Sequence, residues 1–367
     1  MEGGRLFRMI ENGMCRFSSP HLGDLAAEYE ERAEDPLPVY RELGAKGLAG
    51  LPFDPAYGGG GRPYREYLDL IEELARSWIA LAVGIGVHTL VCDAVQRFAS
   101  VETRRELLPA MLAGERFGAY ALTESSSGSD AASLRTRAKK TEGGYAITGR
   151  KQFCTRGGEA DHLLVMARTG GDGPKGVTAF VVDRQTPGFR PTHPERKMAW
   201  RSSPTWELVF ESCLVPDHRR LGAEGEGFTI AMAALDAGRL GIAACAVGLA
   251  QAACDEAVGQ SRGVQAGGGD VEQGTQFMLA DMATGIEAGR VLYQHAASLK
   301  DRGVPFSQQA SMAKLFCTDM AMRVTTDAFQ IAGDGLTARF FRESKALQIV
   351  EGTNQIQRMI IGRRLDS

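Results

Sequence analysis

Apolar residues recur at helical spacing along the first third of the chain. Residues 22–32, 38–46 and 67–78 each place apolar side chains on one face, as helices packed on a core do. Residues 79–98 are nearly all apolar or small and predict a buried helix. Residues 52–62 contain four consecutive glycines and predict a loop. The first third of the chain is therefore predicted to be helical.

The pattern changes near residue 117, where short runs rich in Val, Ile, Thr and Phe alternate with glycine-rich turns. Strands are predicted at residues 145–148, 162–167, 177–183 and 206–210. Their spacing and the turns between them favour an antiparallel β-domain over βαβ units.

The helical period returns from residue 227. Residues 235–262 predict one long helix, stripes through Met282 and Met320 predict two more, and residues 347–361 predict a fourth. Four long antiparallel helices make a bundle. We therefore predict an α+β fold with an N-terminal helical domain, a central antiparallel β-domain and a C-terminal four-helix bundle. The predicted boundaries are 1–116, 117–218 and 219–367.

Composition narrows the classes of function. The net charge of -3 gives no support for binding to nucleic acid or to a membrane surface. Seven scattered cysteines without a CxxC pair indicate reduced thiols in the cytoplasm, and six histidines without HxxxH spacing indicate no metal site. We find no apolar run of the roughly 20 residues that span a bilayer, and no secretory signal.

One carboxylate near the C-terminus is a candidate base. Glu351 precedes Gly352 within an otherwise apolar helical pattern. A carboxylate shielded from water gains basicity, and a glycine beside it lets the backbone approach a ligand closely. Backbone N–H groups at this point could also stabilise an enolate-like thioester oxygen. From the residues alone, an exposed helical glutamate remains the simpler interpretation.

Two motifs change that balance. Residues 122–130 read Leu-Thr-Glu-x-x-x-Gly-Ser-Asp, and residues 351–357 read Glu-Gly-Thr-x-x-Ile-Gln. Together they resemble the signatures of the acyl-CoA dehydrogenase family, which oxidises acyl thioesters at Cα–Cβ with FAD. The resemblance covers most of the chain and has the same helices–strands–helices order. It implies that Glu351 removes the α-proton and that Gly352 lies beside the thioester.

The same resemblance implies an FAD site and a substrate site. Thr123 would bond the flavin edge near N5, Phe153 would pack on the flavin, and Ser129 would lie on the pyrophosphate or beside the pantetheine. The implied FAD contacts within one subunit are Tyr120, Ala121, Leu122, Thr123, Ser129, Phe153, Cys154, Thr155, Thr353, Asn354 and Gln355. Those that the family supplies from a neighbouring subunit are Arg262, Gln330 and Gly333. The implied substrate contacts are Ser129, Asp236, Arg239 and Gly352.

Some family branches carry the base just before the arginine of the Leu-Asp-x-x-Arg helix. That position is Gly238 here, which cannot act as a base, so Glu351 is the sole candidate. Segments 263–275 and 335–340 depart from the family pattern, and Asp334 stands where a second glycine is usual. These departures fit a specialised member.

Several alternatives stay open. The acyl or aminoacyl group could ride on a carrier protein instead of CoA, O2 could replace an electron-transfer flavoprotein as electron acceptor, or the chain could bind flavin without catalysis. The resemblance also implies a homo-oligomer, either a tetramer or a dimer.

Overall fold

The computed structural model describes residues 20–263 and 271–365. The described part of the chain begins with four helices, which pack on one another and on the C-terminal helices. Their bounds are Pro20–Arg32 (α1), Leu37–Ala45 (α2), Tyr64–Phe98 (α3) and Val101–Leu112 (α4). The predicted loop at 52–62 contains only a 3-10 turn, Pro55–Tyr57.

Helix α3 joins the two helices that the apolar pattern predicted separately. Trp78 breaks the helical geometry inside it, with φ -156° and ψ 89°. The Trp78 side chain is buried, and its indole N–H donates to Ser202 Oγ at 3.0 Å. The predicted boundary between residues 78 and 79 is therefore a kink within one element.

The middle of the chain forms an eight-stranded sheet in the order β6-β7-β3-β2-β4-β5-β8, with β1 beside β4. The strands are Gly118–Ala121 (β1), Arg137–Thr141 (β2), Gly144–Thr155 (β3), His162–Arg168 (β4), Val177–Asp183 (β5), Phe189–Pro194 (β6), Thr205–Pro216 (β7) and Arg220–Leu221 (β8). Most neighbours are antiparallel, as predicted, but β1 runs parallel to β4 and β2 meets β4 in a parallel bridge. Strands β1, β2, β6 and β8 were not predicted, because they are short or lack a clear alternation of apolar and polar residues.

The C-terminal region is helical again. Its helices are Gly227–Gly263 (α5), Gln273–Asp301 (α6), Ser307–Ala332 (α7), Leu336–Leu347 (α8) and Asn354–Arg363 (α9). The predicted continuous helix over 347–361 is wrong. Glu351 at φ 53° and Gly352 at φ 89° take left-handed backbone conformations, and these end the helical path between α8 and α9.

Helices α3 and α5 pack closely at the centre of the molecule. A Cβ added at Gly248 on α5 would lie 2.1 Å from the carbonyl oxygen of Glu72 on α3, so only glycine allows this approach. By length and composition both helices could cross a membrane, contrary to the expectation that no run was long enough. Their most apolar windows are 89% and 72% buried inside the protein, as expected of core helices. The predicted α+β class and its three-part order are confirmed.

Candidate active site

Glu351 lies in the tight turn that joins α8 to α9. Thr353 caps the N-terminus of α9, and its side-chain oxygen accepts from Ile356 N at 3.4 Å. Two buried side chains hold the carbonyl of Gly352, the residue before Thr353. Lys314 Nζ donates to Gly352 O at 3.0 Å, and Gln357 Nε2 donates to it at 2.8 Å. The turn is therefore fixed by side chains from α7 and α9.

The carboxylate of Glu351 points into the protein. Oε2 is buried and has no hydrogen-bond partner among the described residues. Burial raises the pKa of Glu351 to about 7, although the positive charges of Arg239 and Lys314 oppose the rise. A buried carboxylate with a free oxygen and a pKa near neutrality is suited to accept a proton.

Gly238 leaves the space that the Glu351 carboxylate occupies. A Cβ built at Gly238 would lie 1.8 Å from Glu351 Oε2. The residue that some family branches use as the base therefore faces the same point as Glu351, from helix α5. Only one of the two positions can carry a side chain here.

A narrow cavity adjoins Glu351 between α3 and α5. Its walls are mostly apolar or small, which suits an acyl chain. The lining residues are Tyr64, Tyr67, Ile71, Ala82, Val83, Gly86, Thr89, Leu90, Asp93, Ala237, Gly238, Gly241, Ile242, Cys245 and Glu351. Tyr64 closes one side, where its hydroxyl donates to Ala237 O at 3.1 Å.

Asp236 and Arg239 form an ion pair that is more buried than an i,i+3 surface pair would be. Arg239 is 3% exposed, and its guanidinium contacts the Asp236 carboxylate. Asp236 also accepts from Ser307 Oγ at 2.8 Å. Burial lowers the pKa of Arg239, against the opposing effect of Asp236. The charge of Arg239 acts on the Glu351 carboxylate, so the pair lies within electrostatic reach of the candidate base.

Residues 122–127 form a turn that is fixed by a buried ion pair. Lys151 Nζ donates to Glu124 Oε1 at 2.8 Å and to Leu122 O at 2.9 Å, and Lys151 is fully buried. Glu124 also accepts from the backbone N–H groups of Arg135 and Thr136. Glu124 therefore has a structural role that the motif did not reveal. Ser129 beyond this turn is exposed.

The segment 153–155 has one exposed and one buried side chain. Phe153 is 59% exposed at φ 58°, so its ring is available to a ligand. Cys154 is 1% exposed within the core of the sheet, and Ala121 on β1 is fully buried. The side chains of Ala121 and Cys154 therefore face the core of the sheet, which leaves only their main chains for the implied cofactor contact. Thr155 is half-buried.

The side chain of Asn354 is bound within the protein. It is 3% exposed, and its side chain bonds Lys314, Thr318 and Asp319. These bonds use its amide to fix the start of α9, so the side chain does not face a cofactor. Its neighbours Thr353 and Gln355 remain half-buried and exposed, respectively.

The three residues implied to serve a neighbouring subunit lie on the surface. Arg262, Gln330 and Gly333 are all exposed at the ends of α5 and α7. Asp334, whose charge would oppose a pyrophosphate, accepts from Gly335 N at 2.9 Å. The altered residues 265 and 266 lie outside the described residues.

Sequence reasoning missed Lys314 and Gln357. The predicted stripe on α7 ran through Met320, which is buried, but it did not draw attention to Lys314. The buried positions of this helix include Ser311, Lys314, Thr318 and Thr325. The sequence did contain an indication of this burial: Lys314 lies among small residues that recur at the spacing of one buried helix face.

The site fits a flavin between the sheet and the Glu351 turn. The hydroxyl of Tyr120, at the end of β1, is buried without a hydrogen-bond partner in the described part of the chain. Burial is the main cause that raises the pKa of Tyr120, and the negative charge of Glu351 is the second. The two groups therefore interact electrostatically. Two unpaired buried polar atoms, the Tyr120 hydroxyl oxygen and Glu351 Oε2, therefore lie within electrostatic reach of each other.

Comparison with known proteins is consistent with this geometry. Residues 7–115, 119–213 and 225–366 match the N-terminal, middle and C-terminal domains of acyl-CoA dehydrogenase. An acyl-CoA dehydrogenase of Bacillus subtilis is 43% identical over 367 residues, which cover 97% of each chain.

Two solved structures have the same fold. Butyryl-CoA dehydrogenase of Megasphaera elsdenii is 37% identical with a TM-score of 0.92, over 95% of this chain and 94% of that chain. A chain in a structure concerning the electron-transferring flavoprotein of Acidaminococcus fermentans is 38% identical with a TM-score of 0.87, over 94% of this chain and 97% of that chain. The chain therefore belongs to the acyl-CoA dehydrogenase family of FAD-dependent oxidoreductases.

Proposed function

We propose that this chain dehydrogenates an acyl-CoA at Cα–Cβ to the trans-2-enoyl thioester, with Glu351 as the base. One observation carries the role of Glu351: its Oε2 is buried and unpaired among the described residues, beside a cavity whose walls are mostly apolar. A general base must have a free lone pair within reach of its proton and a pKa near the working pH. Glu351 meets the first condition by its position in the turn and the second by burial.

The chain's own residues bind and orient the substrate and remove one proton. Glu351 takes the α-proton, and the cations of Arg239 and Lys314 stabilise its charged form before the reaction. FAD, when bound, supplies the acceptor for the hydride that leaves Cβ. Gly238 leaves the space in which the carboxylate lies, and the turn held by Lys314 and Gln357 keeps the base in register with the thioester.

Several described residues are proposed to hold FAD. Phe153 offers an exposed aromatic face, and Thr123 and Thr155 offer partly accessible hydroxyls. Tyr120 supplies an unpaired hydroxyl at the end of β1. The proposed set is completed by Leu122, Ser129, Thr353 and Gln355. Three further residues, whose side chains are buried, could contact FAD only through their main chains: Ala121, Cys154 and Asn354.

The substrate is proposed to be a short acyl-CoA. The cavity is narrow, and the hydroxyl of Tyr64 is tied across one side of it. The similar Megasphaera protein is a butyryl-CoA dehydrogenase. A carrier-protein substrate is not favoured, because relatives that are 43% and 36% identical over nearly the whole chain are acyl-CoA dehydrogenases. The same relatives do not favour an oxidase.

An electron-transfer flavoprotein is the proposed electron acceptor. The likeness to a chain in the Acidaminococcus structure supports this assignment. We also propose that the protein is a homo-oligomer. Arg262, Gln330 and Gly333 are exposed on a single chain, which is what residues that complete a neighbour's cofactor site require.

Substitution of Glu351 tests the central assignment. Glu351→Gln keeps the shape of the side chain but cannot take a proton. We expect the purified variant to be yellow with bound FAD, and anaerobic butyryl-CoA to leave the flavin absorbance unchanged. The unmodified protein should be bleached under the same conditions.

A matched control is Glu211→Gln, since the Glu211 side chain is 64% exposed on β7. It should be bleached at the normal rate. Bleaching of Glu351→Gln at a comparable rate would remove Glu351 from its role.

A further inference from the structure

Lys314 is a buried lysine that lies directly behind the base. It is fully buried on α7, and its ammonium donates to Gly352 O at 3.0 Å and to Asn354 Oδ1 at 2.8 Å. Gly352 belongs to the turn that carries Glu351, and Asn354 is the first residue of the next helix, α9. Neither acceptor is charged. Burying an ammonium on neutral oxygens is costly, so such a residue is a candidate for function.

We propose that Lys314 is a positioning residue for Glu351: it fixes the turn that aims the carboxylate, and it supplies a buried positive charge that stabilises the ionised base. This inference rests on the proposed role of Glu351.

The first part of the proposal follows from the backbone of the turn. Glu351 at φ 53° is a non-glycine residue in the left-handed region, which persists only when its surroundings hold it. Lys314 and Gln357 both donate to the carbonyl of Gly352, the next residue. Asn354, which accepts from Lys314, is itself tied to α7 through Asp319 Oδ1 at 2.7 Å. The left-handed turn is thus clamped from two helices.

The second part follows from the charges around Glu351. The titratable or charged groups that face it are Arg239 and Cys245 of α5, Lys314 of α7, Tyr64 and Tyr67 of α3, and Tyr120 of β1. Two of these groups are cations. Arg239 already contacts the Asp236 carboxylate, which offsets much of its field. The charge of Lys314 has only neutral hydrogen-bond acceptors among the described residues, so its field reaches Glu351 with less compensation.

The titration of Lys314 itself is consistent with this coupling. Burial lowers the pKa of Lys314 to about 7, and the negative charge of Glu351 is the largest opposing influence, followed by Asp319. Each partner therefore favours the charged form of the other.

The test is the pH dependence of kcat/KM for the holoenzyme with butyryl-CoA and an artificial electron acceptor. The unmodified enzyme should lose activity as the pH falls through about 7, where Glu351 becomes protonated. Lys314→Met removes the charge, so the pKa of Glu351 should rise. The acidic limb of the pH profile, where activity is lost, should then move to higher pH by on the order of one unit. Lys314→Arg should keep the limb near its original place.

Gln357→Met is the matched control, because it loses a bond to the same Gly352 carbonyl but no charge. It should lower kcat/KM without moving the limb. If Lys314→Met does not yield folded holoenzyme, Lys314→Gln, which keeps an amide donor, replaces it with the same expected shift.

The outcomes separate the two proposals. An unmoved limb in the neutral variant, together with an inactive Glu351→Gln, overturns the role of Lys314 and leaves the base in place. An active Glu351→Gln overturns the base itself, whatever Lys314 does.

Discussion

A side chain at position 238 and the carboxylate of Glu351 would occupy the same space at the catalytic turn. The Cβ that any other residue would bring to position 238 lies 1.8 Å from Oε2 and 2.9 Å from Oε1 of Glu351. No pair of heavy atoms tolerates the shorter distance without a bond. The absence of a side chain on α5 is therefore part of the active site, as much as the presence of the carboxylate.

Gly238→Ala is expected to displace the Glu351 carboxylate and lower kcat by on the order of 100-fold, because a shift of about 1 Å in a reacting group costs that much. FAD content should be unchanged. The measurement is kcat with butyryl-CoA, alongside the flavin-to-protein absorbance ratio.

Gly259→Ala on the same helix is the control. A Cβ there meets nothing within 4 Å, so activity should be retained, and the variant should be more stable by about 0.5–1 kcal/mol. Equal activity in the two variants would show that the carboxylate has room to move.

At the scale of elements, the turn that precedes β2 depends on one buried ion pair from β3. Lys151 is fully buried, Glu124 is 7% exposed, and four hydrogen bonds join the pair to the backbone around them or to each other. A network of this kind specifies one geometry for Leu122 and Thr123, which are proposed to contact FAD. Removing one partner leaves an uncompensated charge in the interior.

Lys151→Met should destabilise the protein by about 3–5 kcal/mol, because Glu124 would keep its buried charge without a cation. Urea unfolding of the holoprotein would measure the loss. Arg150→Met on the same strand is the control, since Arg150 pairs with Glu207 at 3.2 Å but is 63% exposed. That variant should lie within about 1 kcal/mol of the original protein. Equal midpoints for the two variants would contradict the structural role of the pair.

The elements also show where sequence patterns were sufficient. Strand β5 was predicted at its observed bounds, Val177–Asp183, because an uninterrupted apolar run between turns permits few other structures. The helix predicted over 347–361 failed because apolar periodicity does not register a left-handed residue. The turn that contains Glu351 is held by Lys314 and Gln357, which both donate to the carbonyl of Gly352. Lys314 is distant in the sequence, so the pattern of this segment alone does not show that contact.

At the scale of the whole molecule, apolar side chains remain uncovered on the C-terminal helices. Phe277 and Val291 on α6 are 63% and 57% exposed, and Ile349 after α8 is 57% exposed. Val291 also lines a surface groove with Leu292 and Phe316. An apolar surface groove is typical of an interface, and it supports the proposed homo-oligomer.

Val291→Glu should place a charge in that interface and shift the protein to a smaller species, because an unpaired buried charge is costly. Light scattering coupled to size-exclusion chromatography would report the mass. Leu214→Glu is the control on the outer face of β7, where Leu214 is 64% exposed next to the exposed Ser212. It should leave the mass unchanged. A Val291→Glu protein of the original mass would place the subunit interface elsewhere.

The sequence by itself determined the order of helical and strand regions, the family and the base candidate, because periodicity and short motifs are properties of neighbouring residues. Only the tertiary structure decided which motif side chains are buried and which are exposed. Cys154 and Asn354 turn into the interior, Phe153 turns outward, and Lys314 comes to lie behind Glu351 from 37 residues away in the chain. Burial, the pKa of a carboxylate and the space beside a glycine depend on which distant elements pack together, and these contacts exist only once the chain has folded.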